Sequence, residues 1–189
     1  MASAVGIGRF VYTPILPPMV DALHLTKSQA GIIASANFVG YLAGALLAAL
    51  DLPGAQRAWL LAALTVNVVC LGAMGLATDL VPFIALRAIA GLASAFALVF
   101  SSALVLNRLA LAGRGGLSAV HFAGVGSGIA ASAILVATMS DWRVMWFASA
   151  ALAAVAGIAV AVMVPAEGSG TVQRLPAKAP LASGFWFLL

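Results

Sequence analysis

An all-α, polytopic transmembrane helix bundle is the fold class this sequence predicts, and three observations carry the prediction. The chain is 64% hydrophobic and 7% charged, with a mean hydropathy of +1.15, whereas soluble domains carry roughly a quarter of their residues as charges. It contains six predominantly apolar runs, each near the roughly 20 residues that a spanning helix needs. None of them alternates apolar with polar residues, as the strands of a membrane barrel do.

The first run, Ala2–Leu23, has no basic stretch ahead of it and is interrupted by Arg9. It therefore reads as a spanning helix and not as a signal peptide. The second, Ser28–Leu50, opens at Thr26 and Gln29, which have the spacing of a capping box. Asp51-Leu-Pro-Gly54 stops it, because proline cannot continue a helix and glycine permits a tight turn. The third run is Arg57–Ala77, and it holds Cys70, the single cysteine of the sequence. With no second cysteine there is neither an internal disulfide nor a cysteine metal cluster, and Cys70 reads as a small packing residue. Thr78 and Asp79 are placed to cap the fourth run, Leu80–Leu106, with Pro82 in the first turn where proline is tolerated. The fifth run is Gly116–Met139, and Ser140 and Asp141 are placed to cap the sixth, Trp142–Val164.

Residues 1–164 are thus expected to form the six-helix bundle. Residues 165–180 carry Pro, Gly, Ser and basic side chains and read as a cytoplasmic linker. Residues 181–189 read as the start of a truncated seventh helix.

Loop charges set the orientation. With the N-terminus inside, the inner segments carry Arg57, Arg108, Arg114, Arg174 and Lys178, and the outer ones only Lys27 and Arg143. This bias follows the positive-inside rule and puts both ends of the six-helix unit in the cytoplasm. The net charge of +4 is small and spread over loops, which fits a membrane face and argues against nucleic acid as a partner. Small residues recur at four-residue spacing, in Gly40, Gly44 and Ala48, in Gly91 and Ala95, and in Gly124, Gly128 and Ser132. Such stripes let helices approach closely in lipid. Gly124-Val-Gly126-Ser-Gly128 has the look of a nucleotide-binding loop, but no strand precedes it, so that reading fails its structural test. No cofactor is expected.

Two arginines, Arg9 and Arg87, lie inside runs otherwise apolar enough to sit in lipid. An ionisable group at membrane depth is costly, so it faces a protein interior or a watery path. Their guanidinium forks match carboxylates bidentately, which points to capture of an anionic solute; the competing role is a clamp onto backbone carbonyls or a carboxylate elsewhere. The unperturbed pKa of a histidine lies near neutrality, so His121 on the fifth run is a candidate for proton transfer or a hydrogen-bonding group in the bundle. Asn37 and Tyr41 are four residues apart on one face of the second helix, placed to line a cavity or to bond between helices. Asn67 reads as structural. All five acids fall at helix ends or in loops, so any carboxylate relay would have to come from outside this segment.

Several strings taken together resemble the major facilitator superfamily, and within it the YbfB/YjiJ-type branch. They are Gly8-Arg-Phe-Val-Tyr-Thr-Pro-Ile-Leu-Pro17, the segment from Gln29 to Gly44, and the segment from Gly115 to Ala130. Asp141-Trp-Arg143 and Arg87 four residues before Gly91 add to them. Two departures stand out. The loop after the second helix has Asp51 and Gly54, but Ala55 and Gln56 come before Arg57 where the superfamily has adjacent basic residues; and the Gly-Pro signature of drug antiporters is missing from the fifth helix.

The resemblance implies the N-terminal half of a twelve-helix fold, six helices arranged as 3+3 repeats. It implies a first and fourth helix lining a cavity, which nominates Arg9, Tyr12 and Thr13 on the first and Arg87, Ser94 and Ser101 on the fourth. The expected function is secondary active transport of a small organic solute, anionic on the reading of the two arginines, across the bacterial inner membrane by alternating access, not enzymatic catalysis. The lipid bilayer and a second transporter half, or a homodimer, are the expected partners. One alternative is a truncated remnant that inserts without transporting. A remote one is a rhomboid-like intramembrane serine protease, suggested by Gly126-Ser127-Gly128 but opposed by the lack of any histidine after His121.

Overall fold

The computed structural model describes residues 1–164, and among them it is a bundle of six helices without strands. The expected linker and seventh helix lie outside the described residues. Helix α1 spans three consecutive pieces, Ala2–Ile7, Gly8–Phe10 and Tyr12–Leu23, joined through the helical Val11. It is followed by α2 (Lys27–Ala48), α3 (Gln56–Met74), α4 (Leu80–Leu111), α5 (Ser118–Ala137, entered through the tight turn Gly115–Leu117) and α6 (Trp142–Met163).

Helices α2 to α6 are each long and apolar enough to cross a membrane. In α1 the first piece is a wide π turn, with Gly6 N–H donating to Met1 O at 3.3 Å, and Pro17 and Pro18 lie inside its last piece. Helix α4 continues to Leu111, five residues past the expected Leu106.

The helix starts have local causes. Thr26 and Gln29 form the reciprocal box that their spacing predicts: Gln29 N–H donates to Thr26 Oγ1 at 3.2 Å, and Thr26 N–H to Gln29 Oε1 at 2.8 Å. The Asp141 carboxylate accepts from the N–H groups of Arg143 (2.7 Å) and Val144 (3.3 Å), capping α6. The expected cap on α4 is corrected. Asp79 holds the N-cap position, but its carboxylate accepts from the Thr78 hydroxyl at 3.2 Å and not from the helix. Gly54 takes a φ of +104°, the left-handed turn that ends the α2–α3 connection.

Pairing between helices follows an internal repeat. Helix α2 lies along α4, the start of α1 lies along α5, and α3 packs on both α4 and α6, while α6 returns to α1. Exchanging α1–α3 for α4–α6 turns the α2–α4 contact into the α5–α1 contact and the α3–α4 contact into the α6–α1 contact. The small-residue seams obey the same exchange. A Cβ on Gly91 would strike the carbonyl oxygen of Asn37, and one on Gly6 would lie 2.7 Å from that of Val125. Three residues on from each acceptor, Gly40 abuts Ala88 and Gly128 abuts Ala2, whose carbonyl oxygen a Cβ would approach to 2.6 Å. The stripes read from the sequence are therefore contact seams, where backbones pack at a distance that only glycine allows.

Candidate functional site: two arginines at one level

Arg87 sits in the second turn of α4 and is 3% exposed. Its Nη1 donates to Gly8 O at 3.4 Å and its Nη2 to Arg9 O at 3.3 Å. The Tyr12 ring lies beneath it, 4.7 Å from Cζ to centroid, a distance at which a cation is attracted to the ring face. Tyr12 is itself buried and donates its hydroxyl to Ala30 O of α2 at 3.0 Å. Asn37 is 1% exposed and donates its Nδ2 to Arg87 O at 3.0 Å. Arg87, Tyr12 and Asn37 thus form one buried polar seam joining α1, α2 and α4.

Asn67 supports the same place from α3. It is fully buried, with Nδ2 3.5 Å from both Ala4 O and Ala90 O. Any side chain at Gly8 would strike it. Several atoms in this interior keep unused capacity: Arg87 Nε, Asn37 Oδ1, Asn67 Oδ1 and Trp146 Nε1 have no hydrogen-bond partner among the described residues. Buried polar groups left in such a group are the usual hosts of internal water.

Arg9 projects from the stretch of α1 that Arg87 holds, onto rings of α1 and α2. Its Cζ lies over three rings, 4.3 Å from the Tyr41 centroid, 4.7 Å from Phe38 and 5.8 Å from Phe10. Among the described residues, no group accepts a hydrogen bond from its guanidinium, and its Nε is buried without a partner. Arg9 and Tyr41 are half-buried, while Phe10 (41%), Phe38 (60%) and Thr13 are exposed. Thr13 follows Arg9 by four residues and so lies on the same face of α1.

The remaining candidates lie elsewhere. Ser94 and Ser101 are buried and donate back to their own helix, to Gly91 O at 2.8 Å and Leu98 O at 3.3 Å. His121 Nε2 is 3.5 Å from Ser102 Oγ, across the α4–α5 contact, and its ring stands edge-on to Phe122. Ser127 is exposed and donates to Gly124 O at 3.0 Å. Among the described residues, no three of His, Cys, Asp and Glu are grouped as a metal site.

The structure therefore brings Arg9 and Tyr41 together on an open face and gathers Arg87, Tyr12 and Asn37 in the interior; His121 stands apart from both groups. Phe10 and Phe38 were missed from the sequence as members of the Arg9 cluster. Two signals point to them: Phe10 is adjacent to Arg9, and Phe38 precedes Tyr41 by three residues, one helical turn.

A family model described as "Uncharacterised MFS-type transporter YbfB" matches residues 1–189. The chain belongs to this family of major facilitator superfamily transporters. No curated protein and no solved structure gives a match. Membership makes the chain a multi-pass membrane protein of a transporter family, with the lipid bilayer as its surroundings and a small-molecule solute as the implied cargo. The helical bundle with its exchange-related seams agrees with one half of that fold.

Proposed function

We propose that this bundle takes part in secondary active transport of a small anionic organic solute, with Arg9 as the capturing group and Arg87 as its support. The observation that carries the proposal is the contrast between the two guanidinium groups. Arg87 uses its Nη donors on the α1 backbone and is closed off from solvent. Among the described residues, Arg9 meets ring faces and no hydrogen-bond acceptor, so its guanidinium donors stay unbonded. A charge held this way at membrane depth has reason to meet an anion.

In this reading, a second six-helix bundle, either another half or a second copy, closes over the Arg9 face, and alternating access is the rocking of the two around it. The membrane is the bacterial inner membrane, and both ends of the unit are cytoplasmic, from the loop-charge bias. Tyr41 and Thr13 border the captured group. His121 is left as a candidate for proton coupling at the α4–α5 contact.

Uptake of a labelled carboxylate by cells carrying the completed carrier tests the proposal. Arg9→Gln should lower saturable uptake about a hundredfold at unchanged membrane abundance, and wild-type uptake in that variant would defeat it.

A further inference from the structure

We infer that the solute captured at Arg9 is a monocarboxylate with an apolar, preferentially aromatic body, and that Phe10 and Phe38 are the residues that select it. This rests on the reading of Arg9 as the capture group and adds the chemistry of the rest of the molecule.

Charge comes first. Among the described residues, Arg9 is the cation seated on the Phe10, Phe38 and Tyr41 rings, and its neighbour in space, Arg87, is buried and bonded to backbone carbonyls. One available guanidinium matches one carboxylate, bound through two parallel N–H donors. Cation–π contact with Tyr41 and Phe38 consumes none of those donors.

The body of the solute is decided by what surrounds the fork. Phe10 and Phe38 are 41% and 60% exposed beside it, and the same α2 face continues through Leu42 at 61%. Among the described residues, the polar side chains within a helical turn of the cluster on α1 and α2 include the hydroxyls of Thr13, Ser35 and Tyr41, set among the rings and Leu42. A polyhydroxylated anion brought here would lose hydration with few groups to replace it, a loss that buried polar groups do not tolerate. An aromatic or branched aliphatic body would instead cover exposed ring surface, which is favourable in proportion to the apolar area buried.

The test places a reporter at Thr13 in the full chain. Thr13→Cys is made in a Cys70→Ala background, the protein is held in lipid nanodiscs, and the rate of maleimide labelling is read with four added compounds. Benzoate has the charge and the ring, gluconate the charge with a hydroxylated body, acetate the charge alone, and benzamide the ring alone. Benzoate should slow labelling with half-protection at about 1 mM or below, the affinity of one good bidentate pair and a covered ring. The other three should give no protection at concentrations about tenfold higher, a separation worth one decade of affinity. Arg9→Gln should remove the benzoate effect, and Phe38→Ala should raise the half-protecting concentration about tenfold.

Equal protection by benzoate, acetate and gluconate overturns the assignment of the body and leaves anion capture at Arg9 standing. Protection by benzamide equal to that by benzoate, or benzoate protection that survives Arg9→Gln, overturns the capture reading with it. Labelling unaffected by any of the four overturns the site in this bundle. The comparison among compounds needs only the Thr13→Cys protein, and Thr13 is exposed, so the result does not depend on whether Arg9→Gln folds.

Discussion

Arg87 donates to the carbonyl oxygen of Arg9 at 3.3 Å, so one arginine holds the backbone from which the other projects. That carbonyl lies where α1 passes from one helical piece to the next, and a carbonyl oxygen has two lone pairs with which to accept the guanidinium donor. The neighbouring Gly8 carbonyl accepts from Arg87 Nη1 at 3.4 Å. This fixes α1 against α4 just beyond its π turn, where the helix is least regular. Position and exposure of the Arg9 fork are therefore set from α4, a dependence that a list of buried charges does not reveal.

The division of labour predicts unequal stability losses for the two alanine variants. Arg87→Ala removes two hydrogen bonds from a charged donor and leaves a space under Tyr12. It should lower stability by about 2–4 kcal/mol, the usual worth of such bonds in a buried site. Arg9→Ala loses only cation–π contacts on a half-open face and should cost about 1 kcal/mol or less. Thermal unfolding of the purified chain in detergent checks the order. Equal shifts, or a larger shift for Arg9→Ala, would show that Arg87 is not the clamp.

The paired seams make a second prediction. Gly40→Ala and Gly128→Ala each push a methyl into facing backbone, which cannot swing aside as a flexible side chain does. Each should cost about 1–3 kcal/mol, the range for overpacking. Gly31→Ala and Gly126→Ala meet nothing within 4 Å and serve as controls from the same two helices. Both should be neutral or slightly stabilising, because alanine favours the helix by up to about 1 kcal/mol over glycine. If the control and seam variants unfold at the same temperature, the close helix contacts are wrong.

Much of this architecture was legible in the sequence because its causes are local. Six apolar runs gave six helices, and the Thr26–Gln29 box and the Asp141 cap form as their spacing requires. The four-residue stripes marked the seams, since only a small residue fits where Gly40 meets Ala88. Long-range placement was not legible. Nothing near Arg87 in the chain says that its acceptors are Gly8 and Arg9, 79 and 78 residues away. Tyr12 and Thr13 are adjacent, yet one is buried under a guanidinium and the other is exposed. Helical periodicity separates such neighbours, but only packing decides which of them faces inward. The Asp79 cap failed for a reason of the same kind: its neighbour Thr78 took the carboxylate first.

Orientation gives a third prediction. Gly115 lies in the α4–α5 connection with open space around it, and Lys27 opens α2 at the other end of the bundle. With cysteine at either position in a Cys70→Ala background, a membrane-impermeant thiol reagent applied to intact cells should label position 27 and spare position 115. Permeabilisation should then expose position 115. The reverse pattern would invert the topology drawn from the basic loops.

The last prediction concerns the proposed capture of an anion by Arg9 in a transport-competent carrier. A guanidinium offers two donors in one plane, whereas a lysine ammonium offers a compact point charge on a flexible stem. Arg9→Lys keeps the field and loses the fork, so kcat/KM for a carboxylate solute should fall about tenfold if binding is bidentate, and hardly at all if charge alone matters. Arg9→Gln loses the charge as well and should fall about a hundredfold, close to 3 kcal/mol of lost interaction. Arg87→Lys offers a separate check. It keeps a cation near Gly8 and Arg9 but cannot span both carbonyls in one plane, so it should lower thermal stability and move transport only as far as the Arg9 backbone shifts. An Arg87→Lys carrier more impaired than Arg9→Gln at equal abundance in the membrane would exchange the two roles and make Arg87 the group that meets the solute.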